Sequence, residues 1–248
     1  MVKKPVLVDL FAGCGGLSLG LEEAGFFPVF VNELNEFAMK TYLANRSSVN
    51  KLLLEKYHSF DIKNMVLSPN FFEDLKDGFK LDYGIDVTRG DVDLVAGGPP
   101  CQGFSGIGHR RSYSVEKKQL PSNHLYQDMA YVVNQLRPKI FLFENVRGLL
   151  NSRWTDQGSK GEIWDDVQRT FNNIPGYTVK SQLVYAKDYG VPQNRPRVLL
   201  VGIRDDLKRS NVFSTSVADG FLPAPTNNYP NLVDLLSDLI DPSYENGG

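Results

Sequence analysis

Runs of apolar residues alternate along this chain with segments in which apolar residues recur at helical spacing. The helical segments are Leu17–Ala24, a stretch that runs through Tyr42, and about Leu125–Leu136. The alternation predicts an α/β fold in which a mostly parallel sheet has helices on both faces, with the last two strands antiparallel at the sheet edge. The predicted strands are residues 6–11, 28–32, 92–96, 139–143, 182–185 and 197–202.

The chain has 248 residues, 42% of them hydrophobic, which is enough for one well-buried domain. We place this domain at residues 1–241, with a tail at 242–248 and a variable insertion of short helices at about 46–82. No apolar run approaches the roughly 20 residues that cross a bilayer, and the first residues turn acidic too soon for a secretory signal. The two cysteines, Cys14 and Cys101, are too few for a disulfide framework, so we expect a reducing cytoplasm.

The formal net charge of −2 gives no global sign of a nucleic-acid partner. A local basic run does occur, because His109-Arg110-Arg111 is followed by Lys117-Lys118. Such a run is either a solvated loop or a contact to phosphates, for which a local patch is sufficient. The charge alone leaves both interpretations open.

A glycine-rich turn follows the first predicted strand, in Phe11-Ala-Gly-Cys-Gly-Gly-Leu-Ser-Leu-Gly20. A strand, a glycine turn and a helix start form a corner that binds nucleotides, although Ser18 stands where a dinucleotide fingerprint has glycine. Glu33 follows about 20 residues on, where a carboxylate can accept hydrogen bonds from both ribose hydroxyls. The pattern predicts a nucleotide-type cofactor or, in the alternative, a structural turn. Asp86, before the next strand, could reach an adenine amino group or simply serve as a turn residue.

The strongest signal is the segment Val95-Ala-Gly-Gly-Pro-Pro-Cys-Gln-Gly-Phe-Ser105. Here a buried strand breaks into two glycines and two prolines, which present Cys101 on a rigid loop at the carboxyl edge of the sheet, where ligands bind. An isolated cysteine is usually an inert packing residue. In this setting we interpret Cys101 as a nucleophile, since a thiolate attacks electron-poor rings well.

A second reactive group is predicted at the same edge, because Glu144 ends another strand in Phe141-Leu-Phe-Glu-Asn-Val146. A partly desolvated carboxyl there could hold or deliver a proton. The segment Gln193-Asn-Arg-Pro-Arg197 adds two arginines, one of which could orient Glu144 or contact DNA phosphate. The alternatives are a salt-bridged loop acid and a solvated arginine pair.

Together these residues resemble the carbon-5 cytosine DNA methyltransferase family. Four blocks carry the resemblance in the family's order: Asp9-Leu-Phe-Ala-Gly-Cys-Gly-Gly, Gly98-Pro-Pro-Cys-Gln-Gly-Phe-Ser, Glu144-Asn-Val and Gln193-Asn-Arg-Pro-Arg. The resemblance extends to about Asp241 and implies the Rossmann-like fold of the S-adenosylmethionine-dependent methyltransferases. It also implies S-adenosyl-L-methionine as methyl donor, S-adenosyl-L-homocysteine as product, double-stranded DNA as substrate, and no metal ion.

The family's site residues carry over to matching positions of this sequence. Leu34 stands where many relatives have a tryptophan against the adenine, which implies aliphatic contact instead, and residues 102–123 resemble the family's mobile active-site loop. The implied catalytic residues are Cys101, Glu144 and Arg195. The implied cofactor-binding residues are Phe11, Gly13, Gly15, Leu17, Glu33, Leu34, Asp86, Val87, Pro99 and Leu125. The implied DNA-binding residues are Gln102, Ser105, Arg110, Arg111, Lys117 and Arg197.

The family's target-recognition domain and last motifs do not occur in these 248 residues. The chain therefore resembles the alpha subunit of a split, two-subunit modification methylase of the AquI type. From this resemblance we expect a restriction–modification system in a bacterial cytoplasm and a second protein subunit. The apolar surface left exposed without those segments is the expected docking site. A truncated, inactive relic is the competing interpretation.

Two other functions remain open at this stage. Relatives with the same blocks modify transfer RNA, although the Cys-Phe-Thr segment of those relatives does not occur here. A non-catalytic regulatory subunit is the second alternative, but such proteins usually lose the residues that correspond to Cys101, Glu144 and Arg195.

Overall fold

The computed structural model describes residues 4–100, 121–155, 157–208, 222–226, 228–229 and 231–239. The strands in these ranges are β1 Val6–Leu10, β2 Phe27–Asn32, β3 His58–Ser59, β4 Leu94–Gly97, β5 Ile140–Val146, β6 Tyr177–Tyr185 and β7 Pro196–Arg204. They form one sheet in the order β3-β2-β1-β4-β5-β7-β6. Strands β1 to β5 run parallel, whereas β7 is antiparallel to both of its neighbours.

This topology confirms the predicted α/β fold with a mostly parallel sheet and antiparallel last strands. The strand order reverses at β1, because β2 and β3 lie on one side of it and β4 and β5 on the other. In open α/β sheets such a reversal opens a crevice at the carboxyl ends of the strands. The crevice is expected beside Leu10 and Gly97, the last residues of β1 and β4.

The α-helices of the described residues are α1 Gly16–Glu23, α2 Glu36–Ala44, α3 Lys51–Glu55, α4 Ile62–Leu67, α5 Phe71–Gly78, α6 Leu125–Leu136, α7 Glu162–Asn172, α8 Asp205–Lys208 and a short helix at Leu232–Leu235. Shorter helical turns occur at Phe79–Tyr83, Val87–Arg89, Pro121–His124, Arg147–Asn151, Ala186–Tyr189 and Ser237–Leu239. The predicted helices correspond to α1, α2 and α6. Residues 46–82 hold short helices, as expected, but also β3. In the ranges described, no helix is both long and apolar enough to cross a membrane.

Helices cover both faces of the sheet. On one face Leu7 and Leu94 are buried against Leu17 of α1. The larger core lies on the other face, where α6 and α7 pack on the central strands. There Phe171 of α7 stacks on Phe141 of β5 with ring centroids 5.3 Å apart. This two-sided packing holds the strand ends, and the residues that follow them, in fixed positions.

Candidate active site

A cavity of about 370 Å³ opens at the carboxyl ends of β1, β2, β3 and β4. The residues that line it lie at or directly after these strands, together with the first residue of α6. We call it the carboxyl-edge cavity, and four of the predicted cofactor residues, Phe11, Glu33, Leu34 and Leu125, line it. The full lining is Phe11, Asn32, Glu33, Leu34, Phe60, Asp61, Ile62, Lys63, Gly98, Pro100 and Leu125.

The turn after β1 has an unusual backbone at Phe11, whose φ is 55°. A bulky residue in this left-handed region is strained, and strain of this kind concentrates at functional sites. The Ala12 amide donates to the Asn32 carbonyl at 3.0 Å, which ties the turn to the end of β2. Gly13 follows with a φ of 56°, which glycine adopts without strain. The chain thus leaves β1 abruptly, with Phe11 at the cavity.

The Glu33 carboxylate is held by backbone amides on both of its oxygens. Gly13 donates to Oε2 at 2.8 Å, and Asn35 donates to Oε1 at 2.8 Å. Asn35 also caps α2, because its side chain accepts from the Phe37 and Ala38 amides. A carboxylate has about four acceptor positions, so two amides leave capacity for further donors. Glu33 is therefore fixed in place and still able to accept a hydroxyl from a ligand.

The segment after β3 forms the opposite wall of the cavity. Asn32, buried at the end of β2, donates from its side-chain amide to the Phe60 carbonyl at 2.8 Å and so fixes this segment. Asp61 caps α4 by accepting from the Lys63 amide at 2.9 Å. The Lys63 ammonium group lies 2.7 Å from the carboxylate of Asp128 in α6, whose side chain is only 7% exposed. This ion pair joins the α4 wall of the cavity to the α6 wall.

Glu144 lies beside the backbone that leads towards Cys101. A Cβ at Gly98 would come within 3.0 Å of Glu144 Oε2, so the glycine allows the carboxylate to approach this segment closely. The buried Asn145 side chain donates to the Pro99 carbonyl at 3.0 Å and anchors the same segment. Gly98 also lines the carboxyl-edge cavity. The cavity and the Glu144 carboxylate therefore share this stretch of backbone.

The Glu144 carboxylate pairs with Arg197 rather than with Arg195. Arg197 Nε is 2.6 Å from Glu144 Oε1, and both side chains are partly buried. Arg195 precedes β7 and is exposed, while its carbonyl accepts from the Ala186 amide at 3.1 Å. From the sequence, Arg195 is expected among the catalytic residues and Arg197 among the DNA-binding residues. In the structure the arginine that reaches the carboxylate is Arg197, which lies within β7, whereas Arg195 precedes this strand.

Asp86 and Val87 do not lie at the carboxyl-edge cavity, contrary to the sequence analysis. They precede β4 and so lie at the amino edge of the sheet, where Val87 is buried and Asp86 pairs with Lys80 at 3.3 Å. Asp86 caps a helical turn by accepting from the Thr88 amide at 3.0 Å, which is the turn-residue alternative. Besides Glu33, the carboxylate that lines the cavity is Asp61. It was missed because β3, with two residues, leaves no apolar pattern in the sequence.

The other predicted cofactor residues surround the cavity without lining it. Gly13 binds Glu33, and Gly15 is buried against α2, where a Cβ would approach the Tyr42 ring to 2.8 Å. Leu17 packs in the core, and Pro99 is buried, whereas Pro100 lines the cavity. The predicted residues Cys101, Gln102, Ser105, Arg110, Arg111 and Lys117, and most of the loop 102–123, lie outside the described residues.

A buried carboxyl lies beneath the glycine turn and was assigned no role from the sequence. Asp9 of β1 is 1% exposed and accepts a hydrogen bond from the Ser18 hydroxyl of α1. The Ser18 oxygen is 2.9 Å from the Tyr42 hydroxyl, and the Arg46 guanidinium lies 3.8 Å from the centre of the Tyr42 ring. Burial raises the pKa of Asp9 to about 7, although the Ser18 hydrogen bond opposes this effect. The network ties α2 to the first turn of α1.

The sequence model of the C-5 cytosine-specific DNA methylases matches residues 6–246. The chain belongs to this family. One relative of this methylase chain, the type II methyltransferase M.DdeI of Desulfomicrobium norvegicum, is 32% identical over 234 residues, which are 94% of this chain and 48% of that protein. M.AgeI of Thalassovita gelatinovora is 35% identical over 198 residues, which are 80% of this chain and 39% of that protein. The methylase chain thus spans about half the length of the curated relatives it matches.

Solved structures show the same fold. A prophage-encoded Escherichia coli protein described as a DNA modification methyltransferase matches the methylase chain with a TM-score of 0.62 and 28% identity, over 94% of this chain and 54% of that one. DNMT2 of Spodoptera frugiperda matches with a TM-score of 0.52 and 19% identity, over 82% of this chain and 51% of that one, and shows the fold alone. These likenesses confirm the Rossmann-like methyltransferase fold predicted from the sequence.

Proposed function

We propose that this chain is the catalytic part of a DNA (cytosine-5)-methyltransferase, which transfers a methyl group from S-adenosylmethionine to carbon 5 of cytosine. One observation carries the proposal. The carboxyl-edge cavity and the Glu144 carboxylate meet at Gly98, and the same backbone reaches Cys101 three residues later. Membership of the C-5 cytosine DNA methylase family supplies the reaction class. The site thus combines a cofactor cavity, a carboxylate and a nucleophile.

The residues of the cavity fit S-adenosylmethionine. Glu33, oriented by two backbone amides, would accept both ribose hydroxyls. Leu34 and Ile62 would hold the adenine by apolar contact, and Asp61 would accept from its amino group, in place of Asp86. When bound, the cofactor supplies an electrophilic methyl group attached to a sulfonium sulfur.

The chain's own residues would activate cytosine, whose carbon 5 is a poor nucleophile. The Cys101 thiolate would add to carbon 6, while Glu144 holds a proton at ring nitrogen 3 and Arg197 keeps the carboxyl in position. Carbon 5 then becomes electron-rich and takes the methyl group. Loss of the carbon-5 proton to a base expels the Cys101 thiolate and restores the aromatic ring.

The cytosine must leave the duplex to reach these groups. Flipping a base out costs a few kcal/mol, which contacts to the DNA must offset. The proposed contacts come from the active-site loop, residues 102–123, through Gln102, Ser105, Arg110, Arg111 and Lys117. The exposed Arg195 lies at the same edge and would contact DNA, since Arg197 is paired with Glu144.

We further propose that target recognition comes from polypeptide outside these 248 residues, as a second subunit of a restriction–modification enzyme. The relatives support the placement of recognition outside these residues, because the chain covers 48% and 40% of two of them. Residues 231–239 also support it, since each is exposed and they present Leu232, Leu235 and Leu239 to solvent. An exposed apolar segment is typical of an interaction surface.

The test combines the chain, the polypeptide with the remaining family motifs, duplex DNA and S-adenosylmethionine labelled in its methyl group. We expect label at carbon 5 of cytosine, and a rate of methyl transfer that is lower by about 10³-fold or more in Cys101→Ser. Cys14→Ser is the matched control, because Cys14 is exposed and does not line the cavity. Label on RNA alone, or an equal rate in Cys101→Ser, would contradict the proposal. Full-rate, site-specific transfer by the chain alone would contradict the second subunit.

A further inference from the structure

A second cavity, of about 440 Å³, lies at the amino edge of the sheet, away from the reactive groups. Its residues come from α5, the turn before β4, the end of α6, the end of the antiparallel strand β7 and the start of α8. We call it the basic cavity. It is lined by Lys76, Val87, Thr88, Arg89, Gly90, Gln135, Arg137, Arg204 and Asp206.

The charge of the basic cavity opposes that of the whole chain. Four of the residues that line it are cationic, and Asp206 is the one acidic residue among the described lining residues. The formal net charge of the chain is −2, so this local excess of positive charge is not a reflection of composition. Within the described ranges, the ion pairs include no carboxylate partner for Lys76 or Arg137. A concave surface with unpaired cations attracts anions.

The guanidinium of Arg204 is held in place before any ligand arrives. It donates to both Asp206 oxygens, at 2.7 and 3.1 Å, and to the Arg137 carbonyl at 2.8 Å. Gly90 makes room for it, because a Cβ at that position would collide with the guanidinium. Through the Arg137 carbonyl this network also fixes the backbone of Arg137, and a side chain on a fixed backbone loses less conformational freedom when an anion binds.

Arg137 is also fixed, and its backbone is strained. Its φ is 47°, in the left-handed region where glycine usually ends a helix. Its guanidinium lies 4.8 Å from the centre of the Tyr177 ring, and Gly176 leaves space beside it. The cation is thus placed by stacking rather than by a carboxylate, so its charge is available to a ligand. Backbone strain at a charged residue that lines a cavity is a feature of functional sites.

We propose that the basic cavity binds a small anion that carries two or more phosphate groups, such as a nucleoside triphosphate. The Arg137 guanidinium has no carboxylate partner among the described ion pairs, and its paired N–H groups match the oxygens of a phosphate, whereas Arg204 is already bound to Asp206. Lys76 adds a second cation without a carboxylate partner in the described ion pairs, for a ligand with more than one phosphate, while Arg89 lies 3.5 Å from Asp86. The volume is that of a small-molecule site. This binding is independent of methyl transfer, because the cavity lies at the opposite edge of the sheet.

Calorimetric titration of the chain with inorganic triphosphate at about 0.15 M salt tests the proposal. We expect one saturable site, and at least about tenfold weaker binding in Arg137→Asn and in Lys76→Gln. Asparagine tolerates the left-handed backbone and keeps the carbonyl that Arg204 uses, so the first variant should fold. The matched control is Arg169→Asn, which removes an exposed arginine of α7 and should bind like the unaltered chain.

Absence of saturable binding, or equal binding by Arg137→Asn and the unaltered chain, would overturn the proposal. Equal weakening in Arg169→Asn would also overturn it, because binding would then follow net charge alone. A competition arm distinguishes a small anion from the DNA backbone. If a short duplex displaces triphosphate at lower phosphate concentration than ATP does, the surface contacts nucleic acid and the proposal is wrong.

Discussion

At the scale of single residues, the position of the Glu144 carboxylate depends on which arginine pairs with it. Arg197 lies 2.6 Å from the carboxylate, whereas Arg195, two residues earlier, is exposed. Both belong to one short motif, and the sequence gives no way to decide between them. The strand register decides, because residues from Pro196 onward pair with β6 and β5.

Arg197→Gln should lower kcat about 100-fold, because Glu144 loses the cation that orients it. Arg195→Gln should change kcat less than about tenfold and raise the KM for DNA, because it removes an exposed cation. Steady-state kinetics of both variants in the assembled enzyme separate these effects. A larger loss of kcat in Arg195→Gln than in Arg197→Gln would contradict the assignment.

The buried Asp9 predicts a pH dependence of stability. Its pKa is raised from 3.8 to about 7 by burial, so the folded chain holds this proton where the unfolded chain releases it. Its contribution to the free energy of unfolding should be fully present below about pH 4 and fall by about 1.4 kcal/mol per pH unit until about pH 7. Asp9→Asn should remove this slope. Denaturant titrations from pH 4.5 to 7.5 check it, and equal slopes in the two proteins would contradict the account.

At the scale of elements, the sequence predicts those strands, turns and helices whose apolar or glycine residues recur at a regular spacing. Strand β1, the glycine turn and α6 follow from apolar periodicity and glycine spacing, and the Gly-Gly-Pro-Pro segment identifies the loop after β4. Strand β3 has only two residues and leaves no periodic signal, so Asp61 and Ile62 were missed as cavity residues. For the same reason Asp86 was assigned to the cavity. It precedes β4, which is the next strand that the apolar pattern predicts. These positions depend on strand pairing, which is a tertiary property.

The ion pair between α4 and α6 predicts a coupling in cofactor binding. Lys63 lines the cavity, and its partner Asp128 is almost buried, so breaking the pair should loosen the two walls. We expect Lys63→Met and Asp128→Asn each to weaken S-adenosylmethionine binding about tenfold. The double variant should lose less binding free energy than the two single variants lose together.

Calorimetric Kd values and thermal unfolding of the four proteins test this coupling. Lower Tm with unchanged Kd in the single variants would show that the pair serves stability alone. Additive losses in Kd would show that the two residues act separately.

At the scale of the whole molecule, the strand order brings distant segments to one edge. Phe11, Glu33, Asp61 and Gly98 follow four different strands, yet they line one cavity because the order reverses at β1. Glu144 belongs to a fifth strand, β5, and its carboxylate lies beside Gly98. Under the proposed function, recognition of a DNA sequence is assigned to polypeptide outside these 248 residues, since the chain matches 48% of the relative M.DdeI.

The central claim is that the Cys101 sulfur bonds reversibly to carbon 6 of a cytosine while the methyl group is transferred. Duplex DNA with 5-fluorocytosine at the target site traps this bond, because fluorine at carbon 5 cannot leave as a proton does. With S-adenosylmethionine and the assembled enzyme, mass spectrometry of digested protein should show the methylated fluoropyrimidine on the peptide that contains Cys101, and none in Cys101→Ser. An adduct on a different residue, or an undiminished adduct in that variant, would contradict the account.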